Sequence, residues 1–133
     1  MINNPQANKY LENAIQTASP AQLLIMLCDG AIRFSKLAIQ DIQKQQYVEA
    51  NLHINKVQDI INEFIITLDN SSPVAEGLLR LYDYFLYRLL QANTKKEVEP
   101  IEEVIQYFVE LKETWIQAAK ASNAVRPTAG TQA

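Results

Sequence analysis

Residues 19–42 read SPAQLLIMLCDGAIRFSKLAIQDI, and the spacing inside this stretch decides the fold. Ser19 followed by Pro20, with Gln22 three positions after the serine, combines an N-cap, a proline at the first helical position and a capping-box partner. At about 100° per residue, Leu24, Leu27, Ala31, Phe34, Ala38 and Ile42 fall on one stripe, as the core face of an α-helix requires. Ile25, Ile32 and Ile39 lie to one side of it, Met26 and Leu37 to the other. Only an arc around Gln22, Asp29, Arg33, Lys36 and Gln40 stays polar. That apolar arc is wider than the face of roughly 100° that a surface helix needs.

Working outward, the polar string Gln43 to Gln46 ends this helix near Lys44, and a second runs from about Tyr47 to Leu68. Asp69, Asn70, Ser71 and Ser72 close it, because their side chains compete for backbone hydrogen bonds. Ser72-Pro73 repeats the cap-plus-proline signal and opens a third helix, 73–92. Asn93 to Lys96 breaks that one, and Glu99-Pro100 opens a fourth, ending near Ala121, with Glu102 and Glu103 at its positive dipole end. The connections are short enough to force neighbouring helices antiparallel. The expectation is an all-α, up-down-up-down four-helix bundle over residues 19–121, preceded by an N-terminal capping segment, 1–18. Residues 122–133, small and polar with Pro127 and Gly130, read as a disordered tail.

Composition excludes several function classes. The chain has 133 residues, enough for one core, with only three glycines and five prolines. A net charge of -3, with no basic run longer than Lys95-Lys96, argues against nucleic acid and anionic membrane as partners. The longest apolar run, Leu23 to Cys28, is far below the roughly 20 residues that cross a bilayer, and no charged-then-apolar leader opens the sequence, so the expected location is the cytoplasm. A single cysteine excludes an internal disulfide; Cys28 reads as a small packed side chain.

What remains is surplus apolar surface. Beyond Ile25 and Ile32, the second helix carries Leu52 and Ile66 (with Val48) opposite its core face of Ala50, Ile54, Val57, Ile61, Phe64, Ile65 and Leu68. The third carries Tyr84 and Tyr87 on its polar side. The fourth carries Ile105, Val109 and Ile116 beside the core residues Ile101, Val104, Phe108, Leu111 and Trp115. Burying one such side chain stabilises by about 1.5 to 3 kcal/mol, so half a dozen left wet forgo an amount comparable to the net stability of a domain. Two readings account for them: the first helix is simply the most central one, or a second chain, foreign or identical, lies in the grooves. Ahead of the bundle, Tyr10, Leu11 and Ile15, with Ala14, form a short apolar patch at helical spacing that could cover such a groove and be displaced from it.

Catalytic chemistry finds no support. With one histidine there is no Glu-x-x-His pair for a di-metal centre, no Ser-His-acid set and no glycine-rich phosphate loop, so no enzyme, metal or cofactor is expected. His53-Ile54-Asn55-Lys56 is similar to histidine phosphotransfer domains in placing Lys three residues after His. Those domains generally have a glycine after the lysine, where this chain has Val57. A partly buried, hydrogen-bonded histidine is the expected state of His53.

Tyr10, Thr17-Ala18-Ser19-Pro20, Leu23, Met26-Leu27 and Asp29-Gly30-Ala31, in this order and spacing, resemble the opening of the flagellar export chaperone FliS family. Leu78, Leu81-Tyr82-Asp83-Tyr84, Leu89 and Ala92-Asn93 are similar to its third helix, and Leu111 with Trp115 to its fourth. The resemblance spans residues 10 to about 118; Cys28 stands where the family commonly has a tyrosine. It implies a cytoplasmic, non-enzymatic chaperone that binds the C-terminal helical region of flagellin, prevents premature polymerisation and delivers it to the flagellar type III export apparatus. Export components or a co-chaperone are further implied partners. By the same analogy Tyr10, Leu11 and Ile15 are a displaceable N-terminal cap. The surplus residues read from helical spacing, Ile25, Ile32, Leu52, Ile66, Tyr84, Tyr87, Ile105, Val109 and Ile116, are the candidate partner-binding residues. An obligate homodimer using these stripes on itself, and phosphotransfer through His53, are the competing readings.

Overall fold

Pro20 is the first helical residue, where its missing N–H is no loss. The computed structural model describes residues 20–125, with side chains described through residue 121. Four helices follow one another: α1 (Pro20–Gln43), α2 (Tyr47–Thr67), α3 (Ala75–Lys95) and α4 (Glu99–Val125). α1 packs most extensively, on both α2 and α4, and α3 closes the ring by packing on the same two helices. With connections only at residues 44–46, 68–74 and 96–98, neighbours in sequence are neighbours in space. The result is the expected up-down-up-down helical bundle, and no strand occurs among the described residues.

The turns are built by particular residues. Gln45 adopts a left-handed conformation (φ 59°); its N–H donates to the Ile42 carbonyl and the Gln46 N–H to the Asp41 carbonyl, a Schellman ending that usually employs glycine. After α2, the Asp69 carboxylate accepts both the N–H and the hydroxyl of Ser71. The Ser72 hydroxyl accepts the Val74 N–H at 3.3 Å, so Ser72 does restrain the entry to α3. The chain makes a tight turn there first, and the helix starts at Ala75 rather than Pro73. α3 continues to Lys95 and stops where Lys96 turns left-handed (φ 55°). α4 runs four residues past the expected end at Ala121, since Ser122 to Val125 contain neither proline nor glycine to break it. Ser19, the capping segment and residues 126–133 lie outside the described residues.

Each seam of the bundle carries one polar pin. At α1–α2, His53 Nδ1 donates to Asp41 at 2.5 Å; at α2–α3, Asn93 donates to Asn51 at 2.7 Å. At α3–α4, Glu103 accepts from both Tyr84 and Arg88, and at α4–α1, Lys112 pairs with Asp29 at 2.6 Å. Apolar burial supplies most of the stability but is indifferent to small slips; directional bonds of this kind fix the register.

The core is asymmetric. α2, α3 and α4 supply an aromatic cluster in which Phe64 stacks on Tyr82 at 5.4 Å and Phe85 meets Phe108 at 4.9 Å. α1 answers with small residues: Cys28, Ala31, Ser35 and Ala38 are fully buried, at heptad-like spacing, and Ile42 completes the row. The centre of its buried face is therefore rotated from the Leu24–Leu27–Phe34 stripe expected from periodicity. Those three are only partly buried, and they flank the small ridge. A small-residue ridge lets α1 sit deep between α2 and α4, with large flanking side chains covering both seams. That accounts for much of the wide apolar arc: Ile32 and Ile39 pack partly buried against the core. Gly30 serves the same close approach, since a Cβ there would meet Ile60 Cδ1 of α2 at 3.2 Å.

Candidate docking surface

The candidate residues separate into two regions. On the outer faces of α2 and α3, Leu52 is 56% exposed, Ile66 74% and Tyr87 56%, and Tyr84 is also exposed. The Asn93–Asn51 bond fixes the α2–α3 register and brings the N-terminal turns of α2 beside the C-terminal turns of α3. Tyr47 and Val48 on α2 and Leu90 on α3 are exposed as well, and none of them is among the candidate binding residues read from the sequence. Leu90 is 58% exposed. It is easily missed because it adjoins the fully buried Leu89, and its signal is its position three residues after Tyr87, one turn along the same face. Val74, exposed in the α2–α3 connection, was hidden in the segment read as helix.

The second region is the α1–α4 groove. Ile39 and Ile105 line one hollow of about 490 Å³ with Lys36, Glu99, Glu102, Glu103 and Gln106. Further along the same antiparallel seam, Asp29 meets Lys112. This register sets Ile32 level with Val109 and Ile25 level with Ile116, so the α1 and α4 candidates occupy facing walls. Their exposure differs: Val109 is exposed, whereas Ile25, Ile32 and Ile116 are half-buried. Ile105 is a correction. It is 8% exposed and belongs to the core cluster, because α1 lies close enough to cover it, leaving it as the floor of the hollow. Tyr10, Leu11 and Ile15 lie outside the described residues.

Electrostatics around these surfaces are local. The hydrogen bond from Tyr84 holds the Glu103 carboxyl below its usual range, with Arg88 adding to the effect against a desolvation cost. The bond to Asp29 raises Lys112 above the usual lysine value. Lys36 and Glu102 are exposed and take part in no ion pair among the described residues. His53 is held by Asp41 and stacked on Phe34, with ring centroids 6.0 Å apart, and Arg33 lies 4.8 Å above the other partner's ring, that of Phe34. This is the packing of a partly buried, hydrogen-bonded imidazole. Among the described residues no group of three or more His, Cys, Asp or Glu is placed to hold a metal ion, and no helix is long and apolar enough to cross a membrane. Among the described residues these faces set exposed apolar side chains beside polar ones.

Comparison with known proteins agrees with this geometry. The family model described as flagellar protein FliS matches residues 2–122. The flagellar secretion chaperone FliS of Bacillus subtilis strain 168 is 33% identical over 129 residues, covering 97% of this chain and 96% of the relative. Its namesake in Salmonella typhimurium strain LT2 is 34% identical over 120 residues, covering 87% and 89%; that of Escherichia coli strain K12 is 32% identical, covering 79% of each. A family match across nearly the whole chain, on a four-helix bundle with unpaired apolar faces, shows that this protein belongs to the FliS family of flagellar proteins.

Proposed function

We propose that this chain is a cytoplasmic export chaperone that binds the C-terminal helical region of flagellin, keeps it from polymerising early and delivers it to the flagellar type III export apparatus. One observation carries the reading beyond family membership. Nine large hydrophobic side chains, including Leu52, Ile66, Tyr87, Leu90 and Val109, are exposed among the described residues of a single small bundle. A client segment that is disordered before assembly folds only if the apolar area it buries offsets its ordering cost. Exposed rows on several helices offer that area in a way a single patch does not. Leu52, Ile66, Tyr84, Tyr87 and Val109 are the primary anchors in this reading, with Ile25, Ile32 and Ile116 as the groove walls.

Calorimetric titration with a flagellin C-terminal peptide tests the proposal. Binding with a negative heat-capacity change is the expected result, and no heat at tens of micromolar peptide would contradict it. Removing residues 1–16 tightens binding if that segment competes for the surface; unchanged affinity rejects the cap.

A further inference from the structure

Arg88 reaches both exposed tyrosines of α3, each through one intermediary. Its own side chain is only 18% exposed. Nε donates to Glu103 Oε1 at 2.6 Å, and the same carboxylate oxygen accepts the Tyr84 hydroxyl at 2.7 Å. On the other flank Nη1 donates to Gln91 Oε1 at 2.8 Å, and Gln91 Nε2 donates in turn to the Tyr87 hydroxyl oxygen at 3.2 Å. The remaining nitrogen, Nη2, lies 3.6 Å from Glu99. Chemistry fixes the direction of every bond in this network. A guanidinium only donates, so it holds the Gln91 amide with its oxygen toward Arg88 and its NH2 toward Tyr87; a carboxylate only accepts, so Tyr84 donates. The bond to Glu103 accordingly raises the Tyr84 phenol above its usual value, and the Tyr84 ring stands edge-on to Tyr107 with centroids 6.3 Å apart. Toward any further partner Tyr84 keeps acceptor capacity, while Tyr87, already an acceptor, keeps its O–H to donate.

We propose that Arg88 is a positioning residue that presets Tyr84 and Tyr87 as a paired anchor for the guest chain, one hydroxyl offered as acceptor and the other as donor. The inference rests on the reading that the guest is the C-terminal region of flagellin. An exposed side chain that gives up rotamer freedom on binding weakens the complex, so anchors already held in one rotamer bind more tightly. Tyr84 and Tyr87 are three residues apart on one helix, so both can meet the same guest segment. The guanidinium fork serves Glu103 and Gln91 in two directions at once, which the single ammonium of a lysine does not. Because the two intermediaries differ in kind, the two hydroxyls ask for different groups, a donor at Tyr84 and an acceptor at Tyr87. Two freely rotating tyrosines would make no such distinction.

The test compares the full chain with Arg88→Lys and with Gln91→Met, which cuts the link to Tyr87 while leaving Glu103 and Tyr84 in place. Three-bond couplings across χ1 of both tyrosines are measured in the free protein, and affinity for a flagellin C-terminal peptide by calorimetry. The expected result is one dominant rotamer at each tyrosine in the parent, averaging at both in Arg88→Lys, and averaging at Tyr87 alone in Gln91→Met. Peptide binding weakens roughly three- to tenfold in Arg88→Lys. In a Tyr84→Phe, Tyr87→Phe background, which keeps the rings and removes the hydroxyls, Arg88→Lys has no further effect. A direct contact between Arg88 and the peptide, or a general loosening of the bundle, would instead carry through to that background undiminished. Unchanged rotamers in both variants, or equal weakening with and without the hydroxyls, would overturn this inference alone. A parent chain that binds no peptide would overturn the client reading and, with it, the role given to Arg88.

Discussion

Three buried positions on α1 show how single side chains set the limits of this fold. Burial, and then the neighbouring Asp29, pushes the Cys28 thiol from its ordinary 9.0 up to about 12, and burial does the same to Tyr82, from 10.0 to about 12. The unfolded groups ionise first, so the stability they contribute is complete below about pH 9 and is lost as pH climbs toward 12. Each contributes a slope of about 1.4 kcal/mol per pH unit once its unfolded form ionises. Urea midpoints are therefore expected to hold between pH 7 and 8.5 and to fall by pH 10.5, with a shallower fall in Cys28→Ala; an identical fall in the variant would refute the assignment. Ser35 is fully buried and its hydroxyl has no hydrogen-bond partner among the described residues. Ser35→Ala removes that unmet group and is expected to gain about 1 kcal/mol, read as a melting temperature higher by about 3 °C. His53→Ala has the opposite sign. It leaves the Asp41 carboxylate, 12% exposed, without its partner, at an expected cost of about 1 to 2 kcal/mol in denaturant unfolding.

At the scale of the helices, two backbone positions predict gains by reciprocal substitutions. Gln45 sits at φ 59° without needing its side chain for any described contact, so Gln45→Gly relieves about 1 kcal/mol of left-handed strain. Gly77 lies within α3, where an added Cβ would meet nothing within 4 Å. Gly77→Ala is expected to stabilise by about 0.5 kcal/mol, and a loss of stability in chemical denaturation would show that the site has a neighbour this structure does not place there. The helices themselves were largely legible in the sequence. α1, α2 and the start of α4 match their expected bounds closely, because caps, prolines and polar strings are local signals. The start of α3 was not, since Ser72-Pro73 reads equally as a helix cap or as the turn it is. The rotation of the α1 face was hidden for a different reason: periodicity weighs apolar size, whereas the buried ridge here is small and includes a serine. Which of two adjacent leucines faces solvent, as with Leu89 and Leu90, depends on tertiary packing and cannot be read locally.

Considered whole, the molecule resolves the question left open by its wide apolar arc in both directions. On α1 the surplus is largely absorbed, since a helix that packs on two neighbours uses Ile32 and Ile39 at its own seams. On α2 and α3 it is not, because Leu52, Ile66, Tyr87 and Leu90 remain in water. The triple variant Leu52→Ser, Ile66→Ser, Leu90→Ser is therefore expected to unfold within about 1 kcal/mol of the parent, since these side chains bury little in the free chain. Its affinity for a flagellin peptide should fall at least tenfold. Sedimentation separates a guest from a second copy: a monomer population at low micromolar concentration excludes an obligate dimer, and complete dimer at that concentration would favour self-association over client binding.

The central claim is that these wet side chains are the seat of a guest chain. Methyl-resolved NMR tests it most directly, by titrating a flagellin C-terminal peptide into protein labelled at Ile, Leu and Val. The account predicts large shifts at Leu52, Ile66, Leu90 and Val109 while the buried methyls of Ile54, Ile61 and Ile101 stay nearly fixed. A saturable interaction that leaves those four surface methyls unmoved would contradict it.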